Sequence, residues 1–154
     1  MDPKNRLKVI LSLVATLLGL ILFLAVGAHF RTTAPDTLPS DPACDISQSA
    51  CTATNDAQTI ELAILTRPVT SMVPLTFDLT LSNVEADQVI IDLQGAEMYM
   101  GLHRTELTPS TEPGHWSGSL TLALCTSGEM RWRTQVIARQ GETETRANFE
   151  FSAR

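Results

Sequence analysis

The sequence has few of the side chains from which active sites are usually built. Beyond residue 30 it has only two histidines, His103 and His115, and neither stands in a recognisable nucleophile, zinc or phosphate motif. Acidic pairs such as Glu142 and Glu144 lie in or beside a predicted polar hairpin, where solvation is the simplest interpretation. We therefore predict that the protein is not an enzyme.

Lysine is absent beyond Lys8, so every later positive charge is an arginine. After residue 30 the chain has 8 arginines and 16 acidic residues, a net charge near −8. This balance argues against nucleic acid and against anionic lipid surfaces as partners.

Charged side chains are also absent from Val9 to Phe30, a run of 22 residues. As a helix this run would be about 33 Å long, enough to cross a hydrocarbon core of about 30 Å. A lone apolar segment satisfies its backbone in lipid only as a helix. The run therefore predicts a transmembrane helix at residues 9–30.

The charges on either side of this run predict its orientation. Residues 1–8 form a basic tail that stays in the cytoplasm, and an acidic region follows the run. We expect a single-pass protein of the bacterial inner membrane with its C-terminal part in the periplasm. The alternative is a cleaved signal peptide, because Val26–Ala28 has small residues suited to a peptidase, although the run is longer than the apolar region of such peptides.

Cysteine is scarce, with Cys44, Cys51 and Cys125 all beyond the predicted membrane segment, where disulfides persist. An odd count leaves at least one thiol without a partner inside the chain. Three pairings are possible. We favour Cys44 with Cys51, which closes a short loop and leaves Cys125 free.

Residues 31–57 are predicted to be a periplasmic linker. They contain three prolines and many small polar residues, with little hydrophobic periodicity. Such a stretch buries too little apolar surface to offset the entropy of ordering it.

From residue 58 to 154 apolar residues recur at every second position, which is typical of strands with one buried face. About seven short strands without a long helix point to an immunoglobulin-like antiparallel β-sandwich. The disulfide typical of immunoglobulin domains is absent, because no cysteine follows Trp132. The alternating sets lie at 60–64, 75–81, 89–93, 98–102, 116–124, 130–138 and 147–151.

Methionines near a histidine suggest a copper site. Met98, Met100 and His103 would supply thioether and imidazole ligands, a set that favours Cu(I), and Cys125 and Met130 are the next candidates. The alternative is core packing, because Met98 and Met100 have the parity of buried positions. In a regular strand His103 would face the other way, so a shared site requires the strand to end or bulge near Gly101.

Three arginines, Arg131, Arg133 and Arg139, lie on the face opposite Trp132 in the predicted strand. They form either a solvated face paired with acidic residues or a docking surface for an acidic partner.

Two segments carry a resemblance to a known group. Gly114–Gly118 (GHWSG) and Gly128–Trp132 (GEMRW) are similar to paired motifs of the FixH and YtkA-like proteins, in which a membrane helix precedes a small immunoglobulin-like domain. The resemblance implies a role in copper delivery or in the assembly of a haem-copper respiratory oxidase. It implies as partners a membrane respiratory complex or a copper-handling protein. The alternative function is a metal-free structural or interaction subunit of a membrane complex.

Overall fold

The computed structural model describes residues 3–29, 36–123 and 128–153. The chain divides into two compact units, residues 1–34 and residues 35–154. The first contains one helix and the second contains two β-sheets.

Helix α1 spans Pro3–His29. Proline suits the first helical position, where a backbone N–H would have no partner within the helix. From Ile10 to Leu24 the large apolar side chains are exposed, Phe23 by 75%. In the part of the chain that the structure describes, no helix is long and apolar enough to cross a membrane.

The second unit consists of two five-stranded sheets, which we call sheet A and sheet B. Sheet A has the order β1-β10-β9-β5-β6, and sheet B has the order β2-β3-β4-β8-β7. All pairings between these strands are antiparallel except that of β1 with β10. The strands are β1 Asp36–Leu38, β2 Cys51–Thr54, β3 Thr59–Ile64, β4 Pro74–Ser82, β5 Gln88–Gly95, β6 His103–Glu106, β7 Thr108–Pro109, β8 His115–Thr121, β9 Met130–Gln140 and β10 Thr143–Ala153.

The core lies between the two sheets and follows the predicted alternation. In β4 the buried positions are Leu75, Phe77, Leu79 and Leu81, and each is separated from the next by a more exposed residue. In β9 the inward positions start at Met130 and recur at every second residue as far as Ala138. The predicted antiparallel-rich sandwich is confirmed at this level.

The linker prediction does not hold for residues 36–54. Strand β1 adds an edge to sheet A and β2 adds an edge to sheet B. Leu38, Ile46 and Ala53 from this segment are in the core. A few apolar side chains and backbone hydrogen bonds to neighbouring strands are enough to order it, although its own pattern is weak.

The predicted disulfide between Cys44 and Cys51 is confirmed. Between them, Ile46 is fully buried, its N–H donates to the carbonyl of Glu150 on β10, and its carbonyl accepts from Ile64 on β3. The disulfide therefore closes a loop that bridges the two sheets. Cys125 lies outside the described residues.

Replacing both Cys44 and Cys51 by serine is expected to lower the free energy of unfolding by about 2–3 kcal/mol, because the unfolded chain regains the entropy of an open loop. Urea denaturation of the full chain measures this difference. In the parent protein, thiol counting in denaturant without reductant should give one reactive thiol per chain. A count of three, or an unchanged unfolding midpoint, would contradict the prediction.

Candidate functional site

Strand β5 ends at Gly95 and β6 begins at His103, so residues 96–102 form a loop that we call the Met loop. The prediction that Met98, Met100 and Leu102 belong to a strand is therefore wrong. The ladder with β9 ends where Gly95 pairs with Trp132, and Gly101 has a φ of 88°, a left-handed conformation that favours glycine. The strand is therefore interrupted between Gly95 and His103, with a turn of the backbone at Gly101. A shared metal site requires such an interruption.

Gly95 provides the surface on which the Met loop lies. A Cβ atom at this position would be 2.4 Å from the carbonyl oxygen of Met98, which is closer than packed atoms approach. The same point is 3.0 Å from Cγ of Met100 and 3.2 Å from Cε of Met130. Two thioether side chains, one from the loop and one from the start of β9, therefore converge over a residue without a side chain.

His103 faces the same side of sheet A as these methionines. It pairs directly with Leu93, a fully buried residue, and directly opposed residues of neighbouring strands share a face. Its ring centroid is 6.3 Å from that of Trp132, with the two planes 87° apart. Met130 lies two residues before Trp132 and shares its face. The structure thus brings Met100, Met130 and His103 to one end of the sandwich.

The hydrogen bond of His103 identifies its available nitrogen. Nε2 lies 2.9 Å from the carbonyl oxygen of Met100. A carbonyl oxygen only accepts, so Nε2 is the donor in this hydrogen bond and Nδ1 is the ring nitrogen left for a metal. Histidines that bind metals commonly donate their other N–H to a backbone carbonyl in this way.

The three methionines differ in their access to solvent. The side chain of Met98 is 49% exposed, that of Met100 is partly buried against the core, and Met130 is only 3% exposed. Met98 and Met100 both line a cavity of about 470 Å³ between the Met loop and Asp92, Gln94 and Arg104, and neither Met130 nor His103 lines it. The exposure of the thioethers thus falls from the loop surface to the core.

An ion pair holds β6 to β5 beside this cavity. Nη2 of Arg104 lies 2.8 Å from Oδ2 of Asp92, a carboxylate that is almost fully buried, and Gln94 donates to the same oxygen at 3.1 Å. This hydrogen bond and the charge of Asp92 raise the pKa of Arg104. Since Arg104 follows His103 directly, the pair helps to fix the position of the imidazole.

Two further side chains of types that bind copper, those of His115 and Met72, lie on other elements of the sandwich. His115 is on β8, with Nδ1 3.2 Å from the hydroxyl of Thr80 and Nε2 3.7 Å from Glu112. Met72, which is 66% exposed, lies between β3 and β4. Among the described residues, no group of three or more His, Cys, Asp and Glu side chains could hold a metal ion. Methionine is not one of these four types.

Two of the predicted docking arginines share an acidic neighbour on the outer face of sheet A. Nη2 of Arg133 lies 3.4 Å from Glu150, and Nη1 of Arg131 lies 4.0 Å from the same carboxylate. Arg131 also approaches Glu97 of the Met loop at 3.6 Å. These charges are solvent-exposed, so each pair adds little to stability.

The third arginine, Arg139, belongs to a separate group. Its Nε donates to Glu144 at 2.8 Å, and Arg146 donates to the other oxygen of that carboxylate. Burial raises the pKa of Glu144, but the hydrogen bonds and charges of the two arginines outweigh it, so the pKa is lowered. All three arginines have acidic partners, and their docking role stays a prediction.

Sequence reasoning missed an apolar surface at the Met-loop end of the sandwich. Outside α1, the exposed large apolar residues of the described chain all lie on the Met loop or the β3–β4 loop. The β3–β4 loop shares a cavity with Glu129 and Ala153, beside the start of β9. The residues are Leu65, Met72, Val73, Met98, Tyr99 and Leu102. For two of them, Met98 and Leu102, the spacing predicts core-facing positions of a strand.

No protein-family model, no curated protein and no solved structure matches the chain.

Gly95→Ala is expected to displace the Met loop, because the added methyl group would overlap the carbonyl oxygen of Met98. Overpacking of this kind costs about 1–3 kcal/mol of unfolding free energy. The methyl NMR signals of Met100 and Met130 should shift together, because both side chains contact the same point beside Trp132.

Gly118→Ala is the matched control. Its added Cβ would meet a methyl group of Leu107 at 2.7 Å, so it should also destabilise the fold. It lies on β8, outside the cluster, and should leave the two methionine signals in place. Equal shifts in both variants would show that the signals report general destabilisation and not the seating of the Met loop.

Proposed function

We propose that this protein is a membrane-anchored accessory protein of the periplasm that binds Cu(I) through Met100, Met130 and His103. It would present the copper to an assembling respiratory oxidase or to another copper-handling protein. The observation that carries this proposal is the convergence of the side chains of Met100 and Met130 over Gly95, with the imidazole of His103 held against the carbonyl of Met100 and beside Trp132.

The chemistry of these side chains favours Cu(I). Soft sulfur ligands select Cu(I) over hard cations such as Mg²⁺ and Ca²⁺, and imidazole also binds copper. The two thioethers carry no proton, so none must leave the sulfur ligands before the metal binds.

Met98 and Cys125 remain further ligand candidates. Met98 shares the cavity with Met100 but is half exposed. Cys125 precedes Met130 by five positions in the sequence. Its thiolate would bind Cu(I) more strongly than a thioether, so Cys125→Ser belongs in the test set.

The proposed location and fold family come from the sequence. The apolar run of residues 9–30 supports a transmembrane helix, and the Cys44–Cys51 disulfide suits an oxidising compartment. The two-sheet sandwich is compatible with an immunoglobulin-like domain. The resemblance to the FixH and YtkA-like group supports a role in oxidase assembly.

A metal-free interaction subunit is the second candidate. The exposed apolar residues of the Met loop and the β3–β4 loop favour it, because exposed large apolar side chains that cluster on loops often mark a protein interface. In that case the methionines would contribute contact area and no metal ligands.

Anaerobic titration of the full-length protein with Cu(I), against bicinchoninate as a chromophoric competitor, tests the proposal. Met100→Leu, Met130→Leu and His103→Gln should each raise the dissociation constant about tenfold or more, a loss of about 1.4 kcal/mol. Leucine nearly preserves the volume of methionine. Glutamine keeps an N–H for the carbonyl of Met100 but has no imidazole.

Met72→Leu is the control, since it removes an exposed thioether of the β3–β4 loop that lies outside the cluster. It should leave the affinity unchanged. Micromolar or weaker binding by the parent protein, equal in all variants, would leave the interaction subunit as the better interpretation.

The proposed topology has its own test. Alkaline phosphatase fused after Arg154 should be active in bacterial cells, because that enzyme folds only outside the cytoplasm. A green fluorescent protein at the same position should stay dark after Sec-dependent export. The opposite pair of results would place the sandwich in the cytoplasm and remove the basis for the periplasmic role.

A further inference from the structure

We propose that Met98 is an entry ligand, which takes Cu(I) from a donor and passes it to Met100 and Met130. This inference rests on the proposed Cu(I) site and assigns a separate kinetic role to one of its methionines. The holding ligands set the affinity, whereas Met98 sets the rate at which copper enters and leaves.

The first support for this role is the exposure of the thioethers. A donor complex can contact only a sulfur atom that reaches the surface. Met98 is 49% exposed, but Met130 is 3% exposed and Met100 is packed against the core. Of these three side chains, Met98 is therefore the one that a bulky donor can reach first.

The second support for this role is the position of Met98 on the Met loop. Its backbone lies against Gly95, because its carbonyl oxygen is 2.4 Å from the place of the missing Cβ. Met100 approaches the same point with its side chain and lines the same cavity as Met98. The methionine side chain has three rotatable bonds, so the sulfur of Met98 can move between the surface and the cavity while its backbone stays fixed.

The residues around Met98 suit a protein donor. Tyr99 is 83% exposed and Leu102 is 75% exposed, both on the Met loop. An apolar rim of this kind excludes water when another protein covers it. The copper ion would then pass between ligands with little exposure to solvent.

The transfer is a ligand exchange. A bond forms between Cu(I) and the sulfur of Met98 while one bond to a donor ligand breaks, and Met100 then replaces the remaining donor ligand. Met130 finally replaces Met98, so that the bond from copper to Met98 breaks as the bond to Met130 forms. Copper stays in the Cu(I) state throughout. No proton moves to or from the protein, because the thioether ligands are neutral.

Stopped-flow mixing of the full-length protein with the Cu(I)–bicinchoninate complex tests this role. Met98→Leu should slow copper uptake about fivefold or more and change the dissociation constant less than about twofold, since association and dissociation slow together. Release from the loaded protein to excess bicinchoninate should slow by the same factor. Met100→Leu should instead raise the dissociation constant.

Met72→Leu is again the control, because Met72 is even more exposed than Met98 but lies on the other loop. Its uptake rate should equal that of the parent protein. An unchanged rate in Met98→Leu, or a dissociation constant raised as much as in Met100→Leu, would overturn the entry role while leaving the Cu(I) site intact. Failure of the parent protein to bind Cu(I) would instead refute the proposed function, and the entry role with it.

Discussion

The close packing of the Met98 carbonyl on Gly95 is the contact on which the candidate site depends. Any side chain at residue 95 would hold the Met loop away from sheet A. The absence of a side chain at Gly95 lets Met100 and Met130 approach the same point, and the register of β5 with β9 places Trp132 directly opposite Gly95. A small local constraint and a long strand pairing thus act together to form one cluster.

The two methionines of this cluster, Met130 and Met100, are held in place by different parts of the fold. Met130 belongs to β9, which pairs with β10 along all 11 residues of each strand, up to the pair of Met130 with Ala153. Its position is therefore set by the core. Met100 belongs to a loop, so it can adjust to a ligand. A fixed ligand on β9 opposite an adaptable ligand on the Met loop suits a site that must both hold and release its metal.

The parts of the fold that depend on local pattern could be predicted, and the parts that depend on close approach could not. Alternation predicted the main strands because one face of each is buried. The Met loop has the same alternation, and nothing in the sequence shows that Gly95 is a contact surface. Residues 36–54 were missed because their order comes largely from pairing with distant strands. The partners of the arginine row, such as Glu97 and Glu150, are likewise distant in sequence.

The parallel pairing of β1 with β10 has a consequence for the order of folding. Asp36–Leu38 is the first strand of the sandwich, and its ladder partner, Thr145–Ala147, is near the end of the chain. In sheet A, β10 separates β1 from all the other strands. The first strand therefore has no place in the sheet until the ribosome has made β10, the last strand of the sandwich, and sheet A can be completed only then.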